Sequence, residues 1–295
     1  MSKSAFAAIV GRPSTGKSTL LNSLCGAKVS IVSPVPQTTR NTVRGIVNKP
    51  AGQIVFLDTP GFHISGKKLN LKLKELVLQA LADADLVLYL LDATREPGPE
   101  EEALAAAIAS ALAAEPIPLL SAVNKIDHPD AAPEVAEAFV AGHFPGAPVL
   151  RISGKTSVGL EPLLDSLLEK APEGPAWYPE EYYTDQEPVF RMAEIIREKI
   201  ILHTREELPH AVYVEYSDSR KLDDGGLEAS FDIVVERDSQ KGIVIGKAGS
   251  MIRKIREEAE ADLAELFDYT VKLRLQVRVD SSWKHDDKKL ESLIF

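Results

Sequence analysis

Gly11-Arg12-Pro13-Ser14-Thr15-Gly16-Lys17-Ser18 fits the pattern G-x-x-x-x-G-K-[ST] and decides how the first half of the chain folds. It follows the apolar run Ala5 to Val10, which reads as a buried strand. It precedes Thr19-Leu20-Leu21-Asn22-Ser23-Leu24, a helix start. That strand–loop–helix context is what a phosphate-binding loop requires. Backbone N–H groups of such a loop turn inward on phosphate oxygens, and the helix N-terminus adds positive potential. Lys17 is expected to reach the β- and γ-phosphates and the Ser18 hydroxyl to hold Mg²⁺. Gly11, Arg12, Pro13, Ser14, Thr15, Gly16 and Thr19 complete the expected cradle.

Outward from this loop, the chain to about residue 170 alternates short apolar strands with amphipathic helices, which predicts a mainly parallel six-stranded α/β sheet. The strands are expected at 6–10, 43–48, 54–57, 86–91, 117–123 and 149–152. Only Lys49-Pro50-Ala51-Gly52-Gln53 separates the second from the third. Five residues cannot form a helical crossover, so that pair is expected to be an antiparallel hairpin. Residues 172–188 break the pattern with Pro172, Gly174, Pro175 and Pro179 among acidic and aromatic side chains. The expected division is a nucleotide domain over 1–172, a linker over 173–188, an α+β domain over 189–280 and a tail over 281–295. Trp177, Tyr178, Tyr182 and Tyr183 are expected to pack rather than stay solvated.

The chain of 295 residues is 44% hydrophobic and 26% charged, which suits a globular protein with ample core. Met1-Ser2-Lys3-Ser4 runs straight into the first strand without a signal-peptide core, so a cytoplasmic location is expected. The single cysteine, Cys25, cannot form an intramolecular disulfide and reads as a small core residue. A net charge of −10 disfavours bulk attraction to nucleic acid, though binding depends on local patches.

Further motifs fall where a guanine-nucleotide site needs them. Asp58-Thr59-Pro60-Gly61 ends the third strand. Asp58 can hold Mg²⁺ through water, and the Gly61 N–H can touch a γ-phosphate. Asn124-Lys125-Ile126-Asp127 ends the fifth strand. The Asp127 carboxylate can accept both guanine N1–H and the exocyclic amine; adenine lacks that donor pair, and sites built this way discriminate by roughly 10⁴–10⁵. Asn124 is expected to tie this loop to the phosphate loop, and the Lys125 stem to cover the base. Ser153-Gly154-Lys155 can offer backbone N–H groups to the guanine carbonyl. In Pro36-Gln37-Thr38-Thr39-Arg40, a threonine can complete the Mg²⁺ shell when GTP is bound; Thr39 is favoured over Thr38.

In the second half, Gly246-Lys247-Ala248-Gly249 forms a G-x-x-G loop entering a helix. Two glycines admit a nucleic-acid backbone, and the helix N-terminus attracts phosphate. Lys241, Lys247, Arg253, Lys254 and Arg256 cluster with no acid from 239 to 256. Ile243, Val244, Ile245, Ile252 and Ile255 are expected to line a cleft for unstacked bases. With an expected order α-β-β-α-β, this half resembles a KH domain of the bacterial, type II form, whose ligand is single-stranded RNA.

The wording G-R-P-x-x-G-K-S-T-L-L-N, P-x-P-Q-T-T-R, D-T-P-G-F-H and N-K-I-D resembles the Era family of P-loop GTPases over essentially the whole chain. The resemblance implies GTP binding and hydrolysis to GDP with Mg²⁺, with Lys17, Thr39 and Gly61 in the catalytic roles and Ser18, Thr39 and Asp58 around the metal. It implies RNA contacts through Gly246, Lys247, Ala248, Gly249, Arg253 and Lys254. The implied target is the 3′ end of 16S ribosomal RNA, and the implied role is assistance to assembly of the small (30S) subunit or its precursor. Phe62 occupies the slot where many GTPases carry a water-orienting glutamine, so slow intrinsic hydrolysis is expected. Similar GTPases hold K⁺ with an asparagine in the phosphate loop; the matching residue is Ser14, which puts potassium dependence in doubt. A rival reading from another class is a GTP-controlled module for a protein or membrane surface, peripheral at the inner face of the cell membrane.

Overall fold

In the computed structural model, which describes residues 2–36, 38–66, 68–205, 208–286 and 289–290, the chain forms two compact units. One comprises residues 1–32 and 39–185; the other comprises 33–38 and 186–295.

The first unit is built on β1 (Lys3–Val10), β2 (Val43–Lys49), β3 (Gly52–Asp58), β4 (Leu86–Asp92), β5 (Leu119–Asn124) and β6 (Val149–Arg151). Among the described residues they form one sheet of order β2-β3-β1-β4-β5-β6. All neighbours are parallel except β2 and β3, which make the expected antiparallel hairpin. Consecutive residues Ala7, Ala8, Ile9 and Val10 are fully buried, so both faces of the sheet are covered. On one face, Val77 and Leu81 of α2 (Lys68–Asp83), Leu104 and Ile108 of α3 (Pro99–Ala114) and Val140 of α4 (Pro133–His143) join Val10, Tyr89 and Val123 in a common core. The helix α1 (Lys17–Cys25) packs against β2 and β3, and α5 (Leu160–Lys170) against β1 and β3. Cys25 ends α1 half-buried, and burial pushes its thiol pKa up to about 12, as suits an inert packing residue.

The linker stretch lies along the outer edge of β2. The Ile46 N–H donates to the Tyr183 carbonyl at 2.9 Å, Asn48 Nδ2 to the Glu180 carbonyl at 2.9 Å, and Thr184 Oγ1 to the Arg44 carbonyl at 2.8 Å. Arg44 pairs with Asp185 at 2.8 Å. Two of the aromatics remain exposed, contrary to expectation. Trp177 is 62% accessible although its ring packs on Phe6, and Tyr182 is 47% accessible. The strap is held by these hydrogen bonds and the Arg44–Asp185 pair and needs no buried indole.

The second unit contains α6 (Pro188–His203), β7 (Val212–Lys221), β8 (Leu227–Val235), α7 (Asp238–Ile245), α8 (Ser250–Leu266) and β9 (Val271–Val279). Its sheet order is β7-β8-β9; β7 and β8 are antiparallel, β8 and β9 parallel. The order is therefore α-β-β-α-α-β, with one helix more than expected. Asp238–Ile245 is helical because the Gln240 side chain accepts the Glu236 and Arg237 N–H groups at 2.9 and 3.0 Å, capping a start the β-branched run conceals. Met192, Ile196 and Ile200 of α6 pack with Phe231, Ile233, Ile255 and Leu263 in the core. Trp283, beyond β9, is buried edge-on to Tyr213 at 5.0 Å, and most of the tail after it lies outside the described residues. Within this unit the Thr38 carbonyl accepts from the Arg197 guanidinium at 2.6 Å. Gln37 lies outside the described residues.

Candidate nucleotide site and nucleic-acid loop

Three strand ends supply the site. β1 runs into the loop Gly11–Gly16, β3 ends at Asp58, and β5 ends at Asn124. Gly16 stands at φ 95 before α1, and a Cβ there would lie 2.5 Å from Asn124 Nδ2, so a side chain is barred both by backbone and by space. Lys17 is buried; its Nζ donates to the Gly11 and Arg12 carbonyls at 3.0 and 2.9 Å. Burial pushes its pKa down to about 8, with Asp58 opposing the shift. A phosphate would add a counter-charge to that of Asp58 and favour the ammonium form. Thr15 Oγ1 closes the loop on the Arg12 carbonyl at 3.2 Å. Ser14, at φ 64, is exposed, and its carbonyl accepts from Lys125 Nζ at 2.6 Å. Thr19 follows in the first turn of α1, half-buried.

The residues expected around Mg²⁺ are brought together. Ser18 Oγ donates to Asp58 Oδ2 at 2.7 Å and lies 2.8 Å from Thr39 Oγ1. Ser30 Oγ, which the sequence did not flag, also donates to Asp58 Oδ2 at 2.8 Å. Asp58 is fully buried with its Oδ1 unpartnered, and burial raises its pKa against the pull of Lys17. An unpaired buried carboxylate oxygen beside two hydroxyls fits a hard, oxygen-seeking cation. Thr38 behaves differently from Thr39: its hydroxyl is held by Ser33 and the Val35 carbonyl.

Thr59 Oγ1 donates to the Ile9 carbonyl at 2.8 Å, and Pro60 and Gly61 are buried. Gly61 passes so close to the phosphate loop that a Cβ would lie 2.6 Å from Pro13 Cα. The Phe62 N–H donates to the Gly11 carbonyl at 3.1 Å, and its ring, 2% exposed, points into the core under Lys74. His63 pairs with Glu100 in the first turn of α3.

At the base side, Asn124 Nδ2 donates to the Thr15 carbonyl at 2.8 Å. Asp127 is exposed and accepts from Ser153 Oγ at 2.7 Å, the main cause holding its carboxyl below the ordinary range. The sequence had placed Ser153-Gly154-Lys155 as backbone donors to guanine. Instead the Ser153 N–H goes to the Val158 carbonyl and the Gly154 N–H to Asn124 Oδ1 at 2.8 Å. Ser153 acts through its hydroxyl, and of the three amides that of Lys155 is the one left to face a base.

In the second unit, Gly246 and Gly249 stand at φ 72 and 75 with Ala248 between them at φ 50. This left-handed turn puts Lys247 and Ala248 outward and starts α8 at Ser250. Arg253 and Lys254 are exposed on the first turn of that helix. The expected apolar cleft is smaller than the sequence suggested: Val244 and Ile255 are wholly buried core residues, whereas Ile243 is 52% exposed. Helical phase explains this, since adjacent residues on α7 point about 100° apart.

The fold and these sites define a P-loop GTPase joined to a KH unit. The family model described as 50S ribosome-binding GTPase matches residues 6–125, and that described as KH domain matches residues 207–284. The GTPase Era of Borreliella burgdorferi is 42% identical over 99% of both chains. That of Treponema denticola is 44% identical over 97% of this chain and 98% of its own. The structure of an Aquifex aeolicus Era variant bound to GDP·AlF4⁻ superposes with a TM-score of 0.91 at 34% identity, covering 99% of this chain and 98% of the other. Era in complex with MgGDPNP and nucleotides 1506–1542 of 16S ribosomal RNA gives 0.92 at 34% identity over 99% of both chains. The chain belongs to the Era GTPase family. As a member of it, the chain is a GTPase, hydrolysing GTP to GDP and phosphate. Among the described residues no helix is long and apolar enough to cross a membrane.

Proposed function

We propose that this chain is a GTP-driven switch that binds the 3′ end of 16S ribosomal RNA through its KH unit and assists assembly of the 30S subunit in the cytoplasm. The observation that carries the reading is the outward left-handed loop Gly246–Gly249 at the head of α8, with Lys247, Arg253 and Lys254 exposed beside it. A relative matching over 99% of both chains carries nucleotides 1506–1542 of that RNA, which supports the target. In this reading the loop clamps the RNA backbone, the basic side chains meet phosphates, and Ile243 and its neighbours meet splayed bases.

The nucleotide residues follow from the geometry above: Gly11 to Thr19 for the phosphates, Ser18, Asp58 and Thr39 for Mg²⁺, Gly61 for the γ-phosphate, and Asn124, Lys125, Asp127 and Lys155 for guanine, with Ser153 aiming Asp127 and Gly154 held by Asn124. Phe62 is turned into the core and cannot orient water, so intrinsic hydrolysis is slow and waits on a partner. Gel-shift with single-stranded RNA tests the whole reading. Wild type binds, and Lys247→Asp/Ala248→Asp loses binding while keeping its GTPase rate. Equal binding by both proteins would overturn the assignment of the RNA site.

A further inference from the structure

Because β4 lies between β1 and β5, its carboxyl end opens between the loop that holds phosphates and the loop that holds the base. The residue there is Asp92, in register with Asn124 and 4% exposed. Its Oδ2 accepts from Lys125 Nζ at 2.7 Å and from Arg12 Nη2 at 3.3 Å. Its Oδ1 accepts the Thr94 N–H at 2.9 Å and the Thr94 hydroxyl at 2.7 Å. Burial disfavours the charged form, but the bonds from Lys125 and Thr94 outweigh it and hold this carboxyl below the ordinary range. Arg12 is also paired with buried Glu101, whose Oε2 accepts the Gly98 N–H at 2.9 Å at the start of α3.

One carboxylate therefore collects a cation from each of the two loops. Lys125 stands at φ 68 and Ser14, whose carbonyl it also reaches, at φ 64. Left-handed backbone at non-glycine residues persists only where the surroundings over-determine it. Asp92 supplies that determination at the Lys125 end from a buried position, with both carboxylate oxygens engaged by protein groups.

We propose that Asp92 is a positioning residue for guanine-nucleotide binding, holding the phosphate loop through Arg12 and the base loop through Lys125 as one clamp. The proposal rests on the guanine-nucleotide reading of the site. Binding of a fluorescent GDP analogue by the wild-type chain checks that reading separately.

The test is stopped-flow release of the analogue from full-length Asp92→Asn, Thr94→Val, Lys125→Met and the double variant Asp92→Asn/Lys125→Met, with thermal midpoints of the nucleotide-free proteins. Asp92→Asn is expected to release GDP about tenfold faster or more, the scale of a lost supporting contact. Thr94→Val keeps the charge but loosens its aim, and is expected to shift release in the same direction by less. The double variant is expected to fall within about twofold of the worse single, because both changes break one link. Wild-type release in Asp92→Asn with only a lowered midpoint overturns the proposal, as do fully multiplicative effects in the double variant. If Asp92→Asn does not fold, unchanged release in Thr94→Val is the overturning result.

Discussion

The side-chain amide of Asn124 donates to the Thr15 carbonyl at 2.8 Å across 109 residues of sequence. Its Oδ1 accepts the Gly154 N–H, so a single side chain ties three loops of the nucleotide site. Asn124→Ala leaves a buried carbonyl and a buried N–H without partners, at about 1–3 kcal/mol for each group. Thermal unfolding with and without GDP is expected to show a lower midpoint in both conditions and a smaller upward shift on adding nucleotide. An unchanged nucleotide shift would mean the three loops do not act together.

Ser153→Ala is expected to change the acid limit of GDP binding. Asp127 has a depressed folded-state pKa, mainly through the Ser153 hydroxyl. Such a group adds stability that is fully present above its unfolded pKa and lost as pH falls through its folded value. Guanine binding follows the same sign, since only the carboxylate accepts both base N–H groups. In Ser153→Ala the decline of GDP affinity on acidification begins at higher pH than in wild type. Coincident pH profiles would refute the assignment.

Two isoleucines of the KH unit are expected to separate folding from binding. Ile255 is fully buried, and Ile255→Ala should cost about 2–5 kcal/mol in urea unfolding. Ile243 is half exposed, and Ile243→Ala should change stability by less than about 0.5 kcal/mol while weakening RNA in a gel-shift. Full RNA affinity in Ile243→Ala would remove this face of α7 from the interface.

Arg253 is exposed one turn into α8 and is assigned to a phosphate. Arg253→Ala should lower the slope of log K against log salt by about 0.7 for single-stranded RNA. The loss should be similar for every RNA sequence tried, because a phosphate contact carries no base information. A loss confined to one sequence would make Arg253 a base reader instead.

Much of the fold was legible because its signals are local. Strand and helix periods, the short Lys49–Gln53 connection and the glycine spacings report on backbone within a few residues, and the hairpin and phosphate loop follow from them. What stayed hidden depends on elements far apart in sequence. Asp92, Glu101 and Ser30 acquire meaning only when strand order brings Arg12, Lys125 and Asp58 to them. The helix α7 was concealed by Ile243-Val244-Ile245, which has strand composition; a distant core buries Val244 fully and Ile245 in part and leaves Ile243 exposed. Nothing local in sequence shows that the Ser153 hydroxyl, and not its N–H, is the group facing Asp127.

The chain segment fastened along β2 also bears on how the nucleotide half could be studied alone. A fragment ending at residue 172 would strip Tyr183 and Thr184 from the sheet's rim and leave the Ile46 N–H and Arg44 carbonyl open to strand addition by a neighbouring molecule. A fragment carried through Asp185 keeps its own shield against self-association.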